Sequence, residues 1–192
     1  MKIGVVALQG DVSEHLEAIE KILGKDSSVA VRNRKDLETI SGLIIPGGES
    51  TTISELMQKA EIFDEVRKLG EQGFPIYGTC AGLILLAKQG DEQVKKTSQK
   101  LLGLMDTRIN RNAFGRQRES FEIVLDIGSV KKFTCVFIRA PAIVETFGKC
   151  KTLAKFENYI VAAKQDNLFA TAFHPELTDD LRVHRYFIEE IV

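Results

Sequence analysis

The 192 residues carry 26 lysines and arginines against 27 aspartates and glutamates, a formal charge of -1, with 44% hydrophobic and 28% charged residues. That balance exerts no global pull toward nucleic acid or an anionic membrane, and the apolar fraction suits one globular domain over residues 1–192 rather than a disordered chain. Three cysteines, at 80, 135 and 150, have no paired spacing, which argues against a disulfide framework and a cysteine-based zinc site. With no signal-peptide pattern and no run long enough to span a bilayer, a cytoplasmic protein is expected.

In chain order, residues 2–8 form a continuous apolar run of the kind found in strands buried on both faces, ending at Gln9-Gly10. A helix follows: Asp11 and Glu14 have the spacing of a capping box, and Leu16, Ile19, Ile22 and Leu23 form a stripe closed by Gly24. A second strand is expected at residues 29–31, a helical turn at 36–40, and a third strand at 42–45, cut off by Pro46-Gly47-Gly48-Glu49-Ser50. Apolar residues from Ile53 to Leu69 recur at helical spacing with a break near Glu61. A fourth strand then runs into Gly78-Thr79-Cys80-Ala81-Gly82 and an apolar helix.

This β-α-β-α order predicts a three-layer α/β/α fold with a mostly parallel central sheet. Such sheets carry their sites at strand C-termini, so the turns after strands one, three and four are expected along one edge. Residues 89–100 read as an exposed connection without chemistry. Apolar alternation at Phe121, Ile123 and Leu125, and runs at 133–138, 153–156, 159–163 and 168–173, predict antiparallel strands added to the core. A last helix is expected to be capped by Thr178, with Leu181, His184, Phe187, Ile188 and Ile191 on one face.

Two stretches carry chemistry. Glycines at 78 and 82 leave room around Cys80 on a tight strand-to-helix turn, where unpaired helix N–H groups and the macrodipole favour a thiolate. Packing as an ordinary buried cysteine is the alternative. In Phe173-His174-Pro175-Glu176-Leu177, the carboxylate two residues after the histidine can turn back to one ring nitrogen and leave the other for a thiol. His15 and His184 fall on helices, where face packing is the simpler reading. Cys135, in an apolar strand, and Cys150, beside lysines, are read as bystanders.

Together these blocks resemble the class I, triad-type glutamine amidotransferases, and within them the family of glutaminase subunits of pyridoxal 5'-phosphate synthase. The resemblance rests on Leu8-Gln9-Gly10-Asp11, Pro46-Gly47-Gly48-Glu49-Ser50-Thr51-Thr52, Gly78-Thr79-Cys80-Ala81-Gly82, Arg111-Asn112-Ala113-Phe114-Gly115-Arg116-Gln117, Phe137-Ile138-Arg139-Ala140-Pro141 and Phe173-His174-Pro175-Glu176-Leu177-Thr178. A flavodoxin-like sheet is implied, with Cys80 as nucleophile, His174 as proton acceptor and donor, and Glu176 as its orienting partner. Backbone N–H groups of Ala81 and Gly48 are the implied oxyanion donors.

By the same resemblance, Gly47, Gly48, Glu49, Arg111, Ile138 and Arg139 line the glutamine site. Arginine suits the substrate carboxylate because its planar guanidinium donates two parallel hydrogen bonds. The alternative for Glu49 is a helix N-terminal carboxylate, and for Arg139 a surface ion pair; Arg116 stands evenly between a pocket and a surface role. The implied reaction is glutamine hydrolysis through a thioester. Its ammonia would go to a pyridoxal 5'-phosphate synthase subunit in a hetero-oligomeric complex, with Gln9 and Gly10 at the interface. No metal or cofactor is implied for this chain, and neither nucleic acid nor membrane as partner. A glutaminase serving another acceptor, and a noncatalytic binding module on the same fold, are the alternatives.

Overall fold

The fold, taken from a computed structural model, is described for residues 1–115 and 119–192. Four short strands, β1 (Ile3–Val6), β2 (Ser28–Val31), β3 (Gly42–Ile45) and β4 (Ile76–Thr79), lie parallel in the order β2-β1-β3-β4. Strands β1, β3 and β4 are buried at every position, which is why their sequences are continuous apolar runs instead of alternating ones. The intervening helices are α1 (Val12–Leu23), α2 (Arg34–Leu37), α3 (Ser50–Lys59) and α4 (Phe63–Glu71). Glu61, at φ 58°, breaks the pattern between α3 and α4 where expected.

Beyond β4 come α5 (Ala81–Leu86), β5 (Ala87–Gln89), α6 (Glu92–Lys96), β6 (Met105–Asn110), β7 (Ser120–Ile127), β8 (Val130–Ile138), β9 (Ala142–Thr146), β10 (Lys151–Phe156), β11 (Tyr159–Gln165), β12 (Leu168–Thr171) and α7 (Arg182–Glu190). Among the described residues the main sheet runs β2-β1-β3-β4-β12-β11-β9-β6-β5, with β10 on β11, and β7 pairs with β8 in a separate ribbon. Helix α1 packs on α7, and α3 packs on α4 and α5. The expected arrangement of a mostly parallel half with antiparallel additions is present. Strands β6 and β9 were not expected, because the sequence of β6 includes Asp106 and Thr107, polar residues that are nevertheless buried. Asp106 is satisfied there by Lys88 and by the amide of Lys149.

One pairing differs from expectation in a way that makes the site. Strand β12 is antiparallel to β11 but parallel to β4, with Thr171 opposite Thr79. It therefore continues the parallel half and delivers the residues after it to the same sheet edge as Cys80. Tyr77 locks the two strands together: its buried ring stacks on Phe169 at 4.5 Å and its hydroxyl pairs with Thr171 Oγ1 at 2.8 Å. An aromatic pair of this kind contributes about 0.5–1.5 kcal/mol beyond the area it buries.

Two further expectations are corrected. Residues 89–100 contain the end of β5 and all of α6, and they brace the site: Gln99 Oε1 accepts from Ser50 and Thr51, and Asp91 Oδ2 accepts from the amide of Arg111 at 2.7 Å. Thr178 does not cap α7. It closes the 3-10 turn Pro175–Leu177 by donating to the Pro175 carbonyl at 3.0 Å, and α7 begins only at Arg182.

Candidate active site

Cys80 sits between the last residue of β4 and the first of α5 with φ 47° and ψ -98°. A non-glycine residue in this region costs on the order of 1–3 kcal/mol, and such strain persists only where the surroundings enforce it. Here the amide of Cys80 donates to the Thr171 carbonyl at 2.8 Å. A side-chain carbon on Gly82 would run into the carbonyl of Ile45, so glycine is required for α5 to approach β3 this closely. As the first residue of α5, Ala81 has an amide with no carbonyl partner one turn back in its own helix.

His174 follows β12. Its amide donates to the Val136 carbonyl at 2.8 Å, which ties the histidine to β8. Nδ1 lies 2.7 Å from Glu176 Oε1 and 3.3 Å from Asp11 Oδ2. With Nδ1 engaged, Nε2 is the nitrogen left to meet Cys80. Burial works against a charge on the ring, but hydrogen bonds with Asp11, Cys80 and Glu176 outweigh it and push the His174 pKa up to about 12. Burial lifts the Glu176 carboxyl, and the bond and charge of His174 offset only part of that rise. Asp11, more exposed, is lowered chiefly by its hydrogen bond with His174.

Asp11 was expected to cap α1, but its side chain makes no cap bond and turns to His174 instead. The signal available was position, since Asp11 follows the Gln9-Gly10 turn on the edge that carries the other site turns. That turn is interlocked with Pro46-Gly47-Gly48. Gly10 has φ 104°, and a side-chain carbon there would collide with the Gly47 carbonyl, which accepts from the Asp11 amide at 3.2 Å. Gly47 lies against the imidazole: a side-chain carbon would come within 2.9 Å of His174 Nδ1 and 2.8 Å of Asp11 Oδ2. Gln9 Oε1 accepts from the Glu49 amide at 2.9 Å.

A cavity of about 560 Å³, a size suited to a small molecule, opens onto these groups. Its lining includes Gly48, Glu49, Cys80, Ala81, Arg111, Ile138, Arg139 and His174, together with Gln9 and Asp11. Gly47, Gly10 and Glu176 stand behind the wall. Glu49 accepts from the amides of Thr51 and Thr52 as the N-cap of α3 and pairs with Arg111 Nη2 at 2.9 Å. Burial would raise its carboxyl, but the bonds from Thr52 and Thr51 dominate and hold it at about 2. The helix-cap reading of Glu49 and its place in the pocket are thus both observed. Arg139 is strained at φ 41°, with its amide on the Glu119 carbonyl at 2.6 Å. Arg116 and Gln117 lie outside the described residues.

His15 and His184, read as helix-face residues, are fully buried behind the site. His15 Nδ1 is 2.9 Å from His184 Nε2, and its Nε2 is 3.4 Å from Glu176 Oε2. Asp11, His174 and Glu176 also present possible metal-ligand atoms within 4.8 Å of one another. An ion there would have to break the 2.7 Å bond between Nδ1 and Glu176, so the trio is better matched to holding a proton on the ring. The chemistry available is that of a thiol, an imidazole backed by carboxylates, and the first amide of a helix meeting in one pocket: nucleophilic attack on a carbonyl.

A family model described as the SNO glutamine amidotransferase family matches residues 5–192. A protein of Archaeoglobus fulgidus named "Pyridoxal 5'-phosphate synthase subunit PdxT" is 56% identical, covering 98% of each chain. One of the same name from Methanococcoides burtonii is 53% identical over 100% of this chain and 99% of its own. A crystal structure described as a glutamine amidotransferase superposes with a TM-score of 0.90 at 44% identity, covering 98% of both chains. Among the described residues, no helix is long and apolar enough to cross a membrane.

Proposed function

This chain belongs to the SNO glutamine amidotransferase family, and from that membership we propose that it is the glutaminase subunit of a pyridoxal 5'-phosphate synthase. It hydrolyses L-glutamine to L-glutamate and passes the ammonia to the synthase subunit. The observation that carries the chemistry is the shared sheet edge, where β4 and β12 present Cys80 and His174 side by side and Glu176 holds the far nitrogen of the imidazole.

Cys80 attacks the side-chain amide carbon of glutamine as the thiolate, its proton held on His174. The tetrahedral oxyanion is met by the Ala81 amide at the N-terminus of α5 and by the Gly48 amide across the pocket; losing one such donor typically costs about 2.7–4 kcal/mol in the barrier. His174 gives its proton to the amide nitrogen, the C–N bond breaks, and ammonia leaves a γ-glutamyl thioester on Cys80. Water then attacks the thioester with His174 as base, releasing glutamate and regenerating the thiol. Glu176 keeps Nδ1 occupied throughout, so that Nε2 carries the proton traffic.

Gly48, Glu49, Arg111, Ile138 and Arg139 form the glutamine site with Gly47 behind them, and the Arg111–Glu49 pair offers opposite charges to the two ends of an amino acid. The Gln9-Gly10 turn belongs to the interface with the synthase subunit. Through the bond from the Glu49 amide to Gln9 Oε1, docking there reaches the turn that bears the Gly48 donor. The reduced thiols suit a cytoplasmic enzyme. The test is glutamate release by the parent and by Cys80→Ala, each with and without the synthase subunit. Release that depends on both Cys80 and the partner is expected; release surviving the substitution overturns the mechanism, and release indifferent to the partner overturns the assignment of the acceptor.

A further inference from the structure

Glu176 is held in an unusual setting for an ionised carboxylate. Its side chain has no exposure. Oε1 is taken by His174, while Oε2 is buried without a hydrogen bond of ordinary geometry among the described residues. The group facing Oε2 is His15 Nε2, at 3.4 Å, which also stands 3.3 Å from Thr79 Oγ1.

The proton positions along this line follow from the chemistry of the ends. An ionised carboxylate only accepts, so the tautomer that suits it carries the proton on His15 Nε2, which stands 3.3 Å from Thr79 Oγ1 and 3.4 Å from Glu176 Oε2, and His15 Nδ1 is then the bare acceptor. That requires His184 to donate from Nε2 across the 2.9 Å contact, leaving His184 Nδ1 bare; this is the His184 nitrogen found buried without a partner. The row therefore ends in an unpaired acceptor, a smaller penalty than an orphaned N–H. Burial keeps both rings neutral, lowering His15 well below its ordinary value and His184 to about 4.

We propose that His15 is a positioning residue for the glutaminase reaction: with Nε2 held 3.4 Å from Oε2 and anchored on Thr79, its N–H edge keeps the Glu176 carboxylate turned against His174 Nδ1, and His184 fixes His15. This inference rests on the glutaminase reading of Cys80 and His174. Without His15 the second oxygen of Glu176 loses the imidazole edge that faces it, and the carboxylate can rotate or take up a proton more readily. His174 then keeps only Asp11, at 3.3 Å, to hold its tautomer. The glutamine pocket, built from Glu49, Arg111 and Arg139, is untouched, so the loss falls on turnover and spares substrate binding.

The experiment measures kcat and KM for glutamate release in the complex with the synthase subunit, for the parent, Cys80→Ala, His15→Leu, His15→Gln and His15→Asn, with folding followed by circular dichroism. A glutamine side chain places an amide N–H about where Nε2 stands, whereas asparagine reaches only the Nδ1 position. His15→Leu is expected to lose about 10- to 100-fold in kcat, the range for a displaced catalytic group, with KM within about twofold of the parent. His15→Gln recovers most of that loss and His15→Asn does not. Should His15→Leu fail to fold, the contrast between Gln and Asn decides the matter. Unchanged kcat in folded His15→Leu, or equal activity in the Gln and Asn variants, overturns the role of His15 while leaving the glutaminase reading intact. A parent inactive with its partner, or as active after Cys80→Ala, overturns that reading and this inference with it.

Discussion

Thr79 and Thr171 face each other as register partners on the parallel strands β4 and β12. Because the two strands end level, the next residues leave the sheet together: the Cys80 amide bonds back to the Thr171 carbonyl, and His174 follows two residues after Ala172. The proposed nucleophile and its base, about half the chain apart in sequence, are thereby placed by one strand pairing, with Tyr77 and Phe169 packed beneath them.

Gly47→Ala should separate stability from activity. The added carbon would press on His174 and Asp11, and moving a catalytic group by about 1 Å can cost about 10²-fold in rate. We expect kcat to fall by at least tenfold while the thermal midpoint shifts little, because the ring can tilt toward the cavity. A variant with parent-like kcat would mean that the imidazole does not need this wall.

Stability should fall with acid through the buried histidines. His15 and His184 have folded pKa values lowered from 6.5, His184 to about 4, so the unfolded chain binds protons that the folded chain refuses. Their neutral burial is fully tolerated above pH 6.5, and stability is lost as pH drops toward 4. For His184 alone the shift from 6.5 to about 4 corresponds to about 3 kcal/mol. Urea midpoints between pH 7 and 4 should decline less steeply in His184→Gln, which keeps a donor for His15 but cannot titrate. Parallel slopes for parent and variant would contradict the assignment.

Arg111 should govern substrate affinity. Its guanidinium bonds Glu49 and Thr51 from the pocket wall, and a charge-assisted bond contributes about 1.5–3 kcal/mol. Arg111→Ala is expected to raise KM for glutamine by about 10- to 100-fold with a smaller change in kcat. The reverse pattern would place Arg111 in the chemical step.

Gln9→Ala should weaken coupling to the synthase subunit. The substitution removes the acceptor for the Glu49 amide and frees the turn that carries Gly48. The partner-stimulated rate should drop by about tenfold, less than the loss of an oxyanion donor itself. Stimulation at the parent level would remove Gln9 from the interface.

Most of the parallel half was legible in the sequence because each buried strand is a continuous apolar run and each ends in a glycine-bearing turn; β1, β3, β4 and the Cys80 elbow follow from that alone. The pairing of β12 was not. An apolar run states that a strand is buried but carries no record of its neighbour or direction, so Leu168–Thr171 read as part of a hairpin and not also as the parallel partner of β4. Asp11 was misread for a similar reason: the spacing to Glu14 satisfies a helix cap, and only the fold brings His174 near enough to compete for the carboxylate. His15 sits in the buried stripe of α1 among apolar residues, and nothing local marks that its ring meets Glu176.

The most direct test of the account is affinity labelling with a chloroketone analogue of glutamine, followed by peptide mass spectrometry and glutamate release. Cys135 and Cys150 are raised by burial to about 12 and should stay unmodified. Label is expected on Cys80 alone, in proportion to lost activity, with glutamine protecting both. Complete labelling of Cys80 with glutamate release unimpaired, or inactivation with the label elsewhere, would contradict a nucleophile at that turn.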